Sequence, residues 1–347
     1  MHIICNGLVS ATIIILLTVN GILERNSATF AQQDLALSNV PDYHHLAFTH
    51  HHQRRSYYLH WPFGYPAQLQ QRIPLLIFLH GGGVPASSAM QETKLHEFAD
   101  RDGFCVVFPQ MLTTERKEYQ TWNLGRCCGE AHEDHVDDIG FIRTLLDHLK
   151  SEYPIDPQRI YIAGMSNGGM LAIRLGILLS KDIAAVASIH GAMFGDESWP
   201  DQPISIMMMQ GTGDHLIPYL GGPSKSKNHQ YAMDGFFLSV FDVLKFWGKS
   251  NRCQDPVAVF YEGDMEKLSY QNCADKVDTV LYLIHGGFHA WSGKSTTATL
   301  SVSSVEEAGE HGYLRQEGHS WLAEPIPTSE ILVKFLLKQR KELNVEK

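Results

Sequence analysis

The sequence has no surplus of positive charge. Its 347 residues carry 28 Lys and Arg against 38 Asp and Glu, a net charge of −10 with histidine neutral. Nucleic acid and anionic membrane both demand a clustered basic surface, so neither is expected as a partner. Cysteine is scarce, at 6 residues. No two are spaced as CxxC, which excludes the common zinc-ribbon and thioredoxin-type sites. Internal repeats are absent, and no composition shift divides the chain into separate domains beyond its N-terminal stretch. Apolar runs of membrane length are missing too, except for one candidate, Leu8 to Leu23. Asn6, Ser10, Thr12, Thr18 and Asn20 lie in or beside it, a poor composition for a span of ~20 apolar residues.

That segment reads instead as an export signal over 1–31, with Thr29-Phe-Ala31 ahead of a cleavage point, and implies a secreted or periplasmic protein. Once Cys5 leaves with it, Cys105, Cys127, Cys128, Cys253 and Cys273 remain, an odd number that leaves a thiol unpaired within the chain. Cys253 and Cys273 flank a short loop and are the favoured bridge. Cys127 and Cys128 either bridge each other or pair separately, one of them with Cys105. Phe104-Cys-Val-Val-Phe108 equally suits a buried free thiol. Residues 32–53 read as a poorly ordered linker. Its His44-His45 and His50-His-His52 have no carboxylate or cysteine at ligand spacing, so they are taken as solvated, and no metal is expected.

From residue 54 to 341 strands alternate with helices in what reads as a single domain. Pro74-Leu-Leu-Ile-Phe-Leu79 and Gly103 to Phe108 are apolar throughout, as strands covered on both faces are. Val136, Ile139, Ile142, Leu145, Leu146 and Leu149 recur at steps of three and four, which predicts a helix over 136–153, ended by Pro154. Further strands are expected at 160–163, 183–189, 204–210 and 277–284, and helices at 168–179, 231–248 and 328–341. The pattern predicts an α/β class fold, with a mostly parallel sheet carrying helices on both faces. In such sheets ligands gather beyond the strands' carboxyl ends. Residues 293–327 form a long Ser-, Thr- and Glu-rich segment that reads as a surface loop or a lid, with Tyr313 or Trp321 as its plug.

Gly164-Met-Ser-Asn-Gly168 follows an expected strand and opens an expected helix. That is the context in which G-x-S-x-G forms a nucleophile elbow. Small residues let the backbone turn sharply, lift the Ser166 hydroxyl above the sheet and aim the Asn167 amide at whatever Ser166 attacks. A serine hydroxyl needs a base, and the base needs an acid to fix its tautomer. In the order Ser, Asp, His, the choices are Asp214, in Gly211-Thr-Gly-Asp214, over Asp196, Asp234 and Asp242, and His289 over His285. His80-Gly-Gly-Gly83 ends a buried strand and offers the Gly82 amide, with Gly83 next, as second oxyanion donor.

These stretches, together with Trp122-Asn-Leu-Gly125, Cys127-Cys-Gly129, Tyr153-Pro-Ile-Asp-Pro157, Ile217-Pro-Tyr219 and Gly286 to Gly293, resemble the secreted LpqC-like branch of the polyhydroxybutyrate depolymerase and feruloyl esterase family of α/β-hydrolases. The resemblance implies an α/β-hydrolase fold, Ser166 as nucleophile, Asp214 as acid and His289 as base. It also strengthens the Cys253–Cys273 bridge. It implies a carboxylic-ester substrate, small or polymeric, with no metal or organic cofactor. Phe288 stands where the family commonly has glycine, and Ser292 where it has proline, so Phe288 is expected to reshape the pocket wall. Gly82 stands where depolymerases proper tend to have cysteine, which favours feruloyl or related esters over polyhydroxyalkanoate. Trp122 and Trp291 are candidate walls for an acyl group or sugar, with core packing the alternative for Trp122. Peptidase action on the same machinery, or a binding module with a decayed site, are the competing readings.

Overall fold

The structure is a computed structural model that describes residues 30–31, 43–65, 71–113, 120–125, 127–223, 236–254, 257–291 and 326–342. Strands in chain order are β1 (Phe30–Ala31), β2 (His44–His50), β3 (Gln53–His60), β4 (Ile73–Leu79), β5 (Cys105–Pro109), β6 (Ile155–Met165), β7 (Ala185–Ile189), β8 (Ser205–Gly211), β9 (Gly222–Pro223), β10 (Phe236–Phe237), β11 (Ala258–Glu262), β12 (Met265–Ser269) and β13 (Thr279–Ile284). Helices are α1 (Ala86–Thr93), α2 (Leu95–Asp102), α3 (Gly129–Glu133), α4 (Asp138–Glu152), α5 (Asn167–Leu178), α6 (Val240–Ser250) and α7 (Thr328–Lys338). Among the described residues an 11-stranded sheet runs in the order β1-β2-β3-β5-β4-β6-β7-β8-β13-β12-β11. From β5 to β13 every neighbouring pair is parallel, while the strands at both edges pair antiparallel.

The central strands are buried on both faces, and their side chains alternate between two cores. Leu75, Ile77 and Leu79 of β4 face one core with α4, α5 and α6, whereas Leu76 and Phe78 face the other with α1, α2 and α7. Helix α5 is apolar nearly all round because it lies against β4, β6 and β7. Helix α4 begins at Asp138, where Asp137 caps it through a bond from the Gly140 amide. Helix α6 begins at Val240 rather than 231, because Ser239 accepts the Asp242 amide and sets the N-terminus there.

The linker expected over 32–53 is corrected by the structure. Residues 44–50 are β2, paired in register along β3 from His44↔Leu59 to His50↔Gln53. The outward polar residues hide an alternation in which Leu46, Phe48 and His50 turn inward. Residues 32–42 lie outside the described residues, as does the export segment apart from Phe30–Ala31, which pairs with Phe48 and Ala47. The segment read as a lid or loop lies outside them over 292–325. Cys253 and Cys273 are bridged, Cys127 and Cys128 are bridged to each other, and Cys105 is a buried free thiol. No helix among the described residues is long and apolar enough to cross a membrane.

Candidate active site

Strand order places the site. After β4 the chain moves to β5 on one side and then returns to β6 on the other side of β4. The loops leaving β4 and β6 therefore diverge at their carboxyl ends, the crevice where open α/β sheets bind ligands. The loop after β4 is His80-Gly-Gly-Gly83, and the turn after β6 is Ser166. They meet closely: a Cβ at Gly81 would sit 3.5 Å from the Cβ of Ser166.

Ser166 occupies the elbow with φ 55° and ψ −124°, a conformation strained for any L-residue other than glycine. Its amide donates to the Ile189 carbonyl at 2.8 Å, which fixes the turn against β7. Gly168 is required by close approach, since a Cβ there would stand 2.1 Å from the Leu79 carbonyl oxygen and 2.5 Å from that of His80. Gly164 is held by the same crowding, since a Cβ there would stand 2.4 Å from the Gly168 carbonyl oxygen.

Three side chains far apart in sequence converge on this turn. His289 Nε2 lies 2.8 Å from Ser166 Oγ, and His289 Nδ1 lies 2.7 Å from Asp214 Oδ2. Asp214 follows β8 and His289 follows β13, which is the next parallel strand. Asp214 is buried, yet both its oxygens are occupied. Oδ1 accepts the Leu216 and Ile217 amides, each at 2.9 Å, and Oδ2 accepts Gln210 Nε2 at 2.9 Å besides the imidazole. Burial pushes this carboxyl up, but the hydrogen bonds from His190 and His289 outweigh it and hold the group well below the usual carboxylate range. It is a fixed anion.

The competing residues lie elsewhere. His285 bonds Glu266 Oε2 at 2.9 Å. Asp242 serves the cap of α6, and Asp196 lies 3.9 Å from Arg174. Asp234 is outside the described residues.

Sequence reasoning missed His190. It follows β7 directly and is fully buried, and its Nδ1 donates to Asp214 Oδ2 at 3.0 Å, the same oxygen that His289 uses. Burial lowers its pKa despite the opposing pull of Asp214, so it is a neutral donor at Nδ1. The available signal was positional: His190 ends a buried strand and precedes Gly191, as Ser166 ends β6.

The backbone donors are separated by use. The Gly83 amide donates to the Gln120 carbonyl at 2.7 Å, which removes it as the alternative to Gly82. The Asn167 amide, at the first position of α5, has no intrahelical acceptor and points out of the helix N-terminus. The Asn167 side chain is buried and clamps the Trp122 backbone, accepting the Trp122 amide at 2.6 Å and donating to its carbonyl at 3.2 Å. Trp122 Nε1 in turn donates to the His80 carbonyl at 2.9 Å, tying the loop after β4 to the elbow. His80 completes this scaffold. Burial carries its pKa down to about 4, its Nε2 accepts the Met111 amide at 3.3 Å, and its Nδ1 meets the Gly81 carbonyl at 3.2 Å.

Two of the expected substrate walls are corrected. Trp122 is 0% exposed and packs in the core beneath the loop. Trp291 is buried against Phe78 and donates to Ser329 Oγ at 3.2 Å, so α7 holds it away from the crevice. Phe288 is exposed beside His289, with its ring 3.4 Å from where a Cβ at Gly213 would lie.

Residues 55–218 match the family model described as Esterase PHB depolymerase. Over 222 residues the chain is 31% identical to "Feruloyl esterase B" of Piromyces equi, which covers 62% of this chain and 39% of that protein. Over 165 residues it is 28% identical to "Bifunctional acetylxylan esterase/xylanase XynS20E" of Neocallimastix patriciarum, 48% of this chain and 23% of that protein. The chain thus spans well under half the length of these relatives. Among solved structures, the "Crystal Structure of a Thermostable Esterase" superposes with a TM-score of 0.52 at 16% identity, over 86% of this chain and 64% of that one. At that identity the likeness concerns the fold, which is α/β-hydrolase.

Proposed function

We propose, from the match of residues 55–218 to the family model described as Esterase PHB depolymerase, that the chain hydrolyses carboxylic esters with Ser166 as nucleophile, His289 as base and Asp214 as the orienting acid. The observation that carries this reading is the unbroken relay from Ser166 Oγ through the two nitrogens of His289 to Asp214 Oδ2, at 2.8 and 2.7 Å.

Ser166 Oγ attacks the ester carbonyl carbon while His289 Nε2 takes its proton. Asp214, fixed by the 216–217 amides, keeps the Nδ1–H tautomer and stabilises the imidazolium as it forms. The carbonyl oxygen becomes an oxyanion between the amides of Asn167 and Gly82. Collapse breaks the bond to the alcohol, which leaves with the proton from His289. Water then attacks the acyl-enzyme, passing one proton through His289 back to Ser166 and releasing the acid.

Feruloyl or related acyl esters are the favoured substrates, on the glycine at position 82 and on the relatives named for such esters. Export belongs to the same proposal, supported by the apolar 8–23 segment and by two disulfides, which persist in oxidising compartments. A fluorophosphonate probe is expected to label Ser166 and no other residue. Ser166→Ala should lower kcat on a p-nitrophenyl ester by about 10⁶. A loss of only a few-fold, with labelling elsewhere, overturns the assignment. Relative rates on methyl ferulate, acetylated xylan and hydroxybutyrate oligomers then select the ester class.

A further inference from the structure

We propose that the β2–β3 hairpin and the start of α4 form a site for one divalent cation of the zinc type, held by His50 Nε2, His51 Nε2 and Asp137 Oδ2. The histidine run has no carboxylate near it in sequence, but the fold brings Asp137 to it from 87 positions away. Both imidazoles present Nε2 to the same carboxylate oxygen, at 3.1 and 3.3 Å, and the three ligand atoms lie within 4.8 Å of one another. Tetrahedral zinc with bonds of ~2.0–2.1 Å sets its ligand atoms about 3.3 Å apart. The two separations from Asp137 already have that spacing. Two imidazoles and one carboxylate, with a fourth position left to water, form a donor set suited to zinc and its borderline neighbours.

The surroundings are those of a built site rather than a chance surface cluster. His50 is 7% exposed, and its Nδ1 is 3.3 Å from Thr144 Oγ1. With Nδ1–H donated to Thr144, as ligating histidines donate to an outer partner, Nε2 turns a lone pair toward Asp137. Asp137 Oδ1 is spent on the Gly140 amide at 2.9 Å, which fixes the carboxylate with Oδ2 toward the histidines. The nearby Arg55 does not oppose a cation with its full charge, because Asp138 pairs with it at 2.6 Å. His51 and Asp137 are 65% and 48% exposed, which gives the ion a way in. The hairpin turn places His51 and His52 at φ 45° and 65°, where glycine or asparagine is usual, so this turn is retained at a cost in backbone strain.

Zinc chloride titrated into the full chain by calorimetry tests the site. His51→Ala and Asp137→Ser should each weaken the binding at least about tenfold, whereas His52→Ala should leave it unchanged. Asp137→Ser keeps an oxygen to cap α4, so a folded variant with lost affinity reports a ligand and not a broken helix. In parallel, zinc should raise the melting temperature of the wild type and of His52→Ala, but not of His51→Ala. Identical titrations for wild type, His51→Ala and Asp137→Ser, or no uptake at millimolar zinc, would overturn the proposal.

Discussion

Acidification should loosen the loop that carries Gly82 before it discharges Asp214. His80 is fully buried, and burial moves its pKa from 6.5 to about 4. As pH falls below 6.5 the unfolded chain takes up a proton at this residue while the folded chain refuses it. Stability from His80 is therefore fully present above about pH 6.5, drains as pH falls, and is exhausted near pH 4, where the folded state also protonates. Linkage over that interval gives about 3 kcal/mol, most of it spent by pH 4.5. Buried His190 is shifted in the same direction, as are the partly exposed His45, His96 and His148, so total stability falls further. Asp214 adds its loss only at lower pH, because a depressed carboxyl holds its contribution until the usual carboxylate range is passed. The comparison that isolates His80 is His80→Gln, which cannot titrate but can still accept the Met111 amide. Urea midpoints at pH 7.5, 5.5 and 4.5 should fall more steeply for the wild type than for the variant, by about 2.5 kcal/mol between the extremes. Parallel curves for the two proteins would refute the reasoning.

Two substitutions probe the scaffold behind the relay. His190→Leu removes one donor from Asp214 Oδ2. A hydrogen bond to a charged group is worth roughly 1.5–3 kcal/mol. Stability at pH 7 should fall by about that amount in urea denaturation, with restoration toward wild type in His190→Gln. An equal loss in His190→Gln would make His190 a packing residue only. Asn167→Leu strands the Trp122 amide and carbonyl in the core, at roughly 1–3 kcal/mol each. Asn167→Asp keeps the acceptor for the amide and should lose about half as much in urea denaturation. Equal losses for the two would place the cost in shape rather than in hydrogen bonding.

What could be read from the chain follows from how many neighbours decide each element. Strand β4 was legible because both its faces are buried, and an unbroken apolar run admits little else. Helix α4 was legible through its spacing and its proline stop. Strand β2 was not, because its outward histidines mask an alternation that matters only once β3 lies beside it. Strand β11 is exposed throughout and, among the described residues, bonded on one side only, to β12, so no buried face imposes a period on it. Helices α1 and α2 are short, and the left-handed Lys94 between them interrupts any helical repeat.

The site divides along the same line. Gly164 and Gly168 could be read because backbone crowding at the elbow excludes every larger residue, a constraint written into the local sequence. The tryptophans could not, since an aromatic beside a glycine turn is free to face inward or outward, and the clamp from Asn167 that settles Trp122 comes from 45 positions away. The position of His190 follows from the sheet's register. The parallel registers Met165↔Ile189 and Ile189↔Met209 align the ends of β6, β7 and β8. A polar residue just past any of these ends must therefore stand on the rim beside Ser166. Asp214 after β8 and His190 after β7 stand there for the same reason, and His190 meets His289 at Asp214 Oδ2.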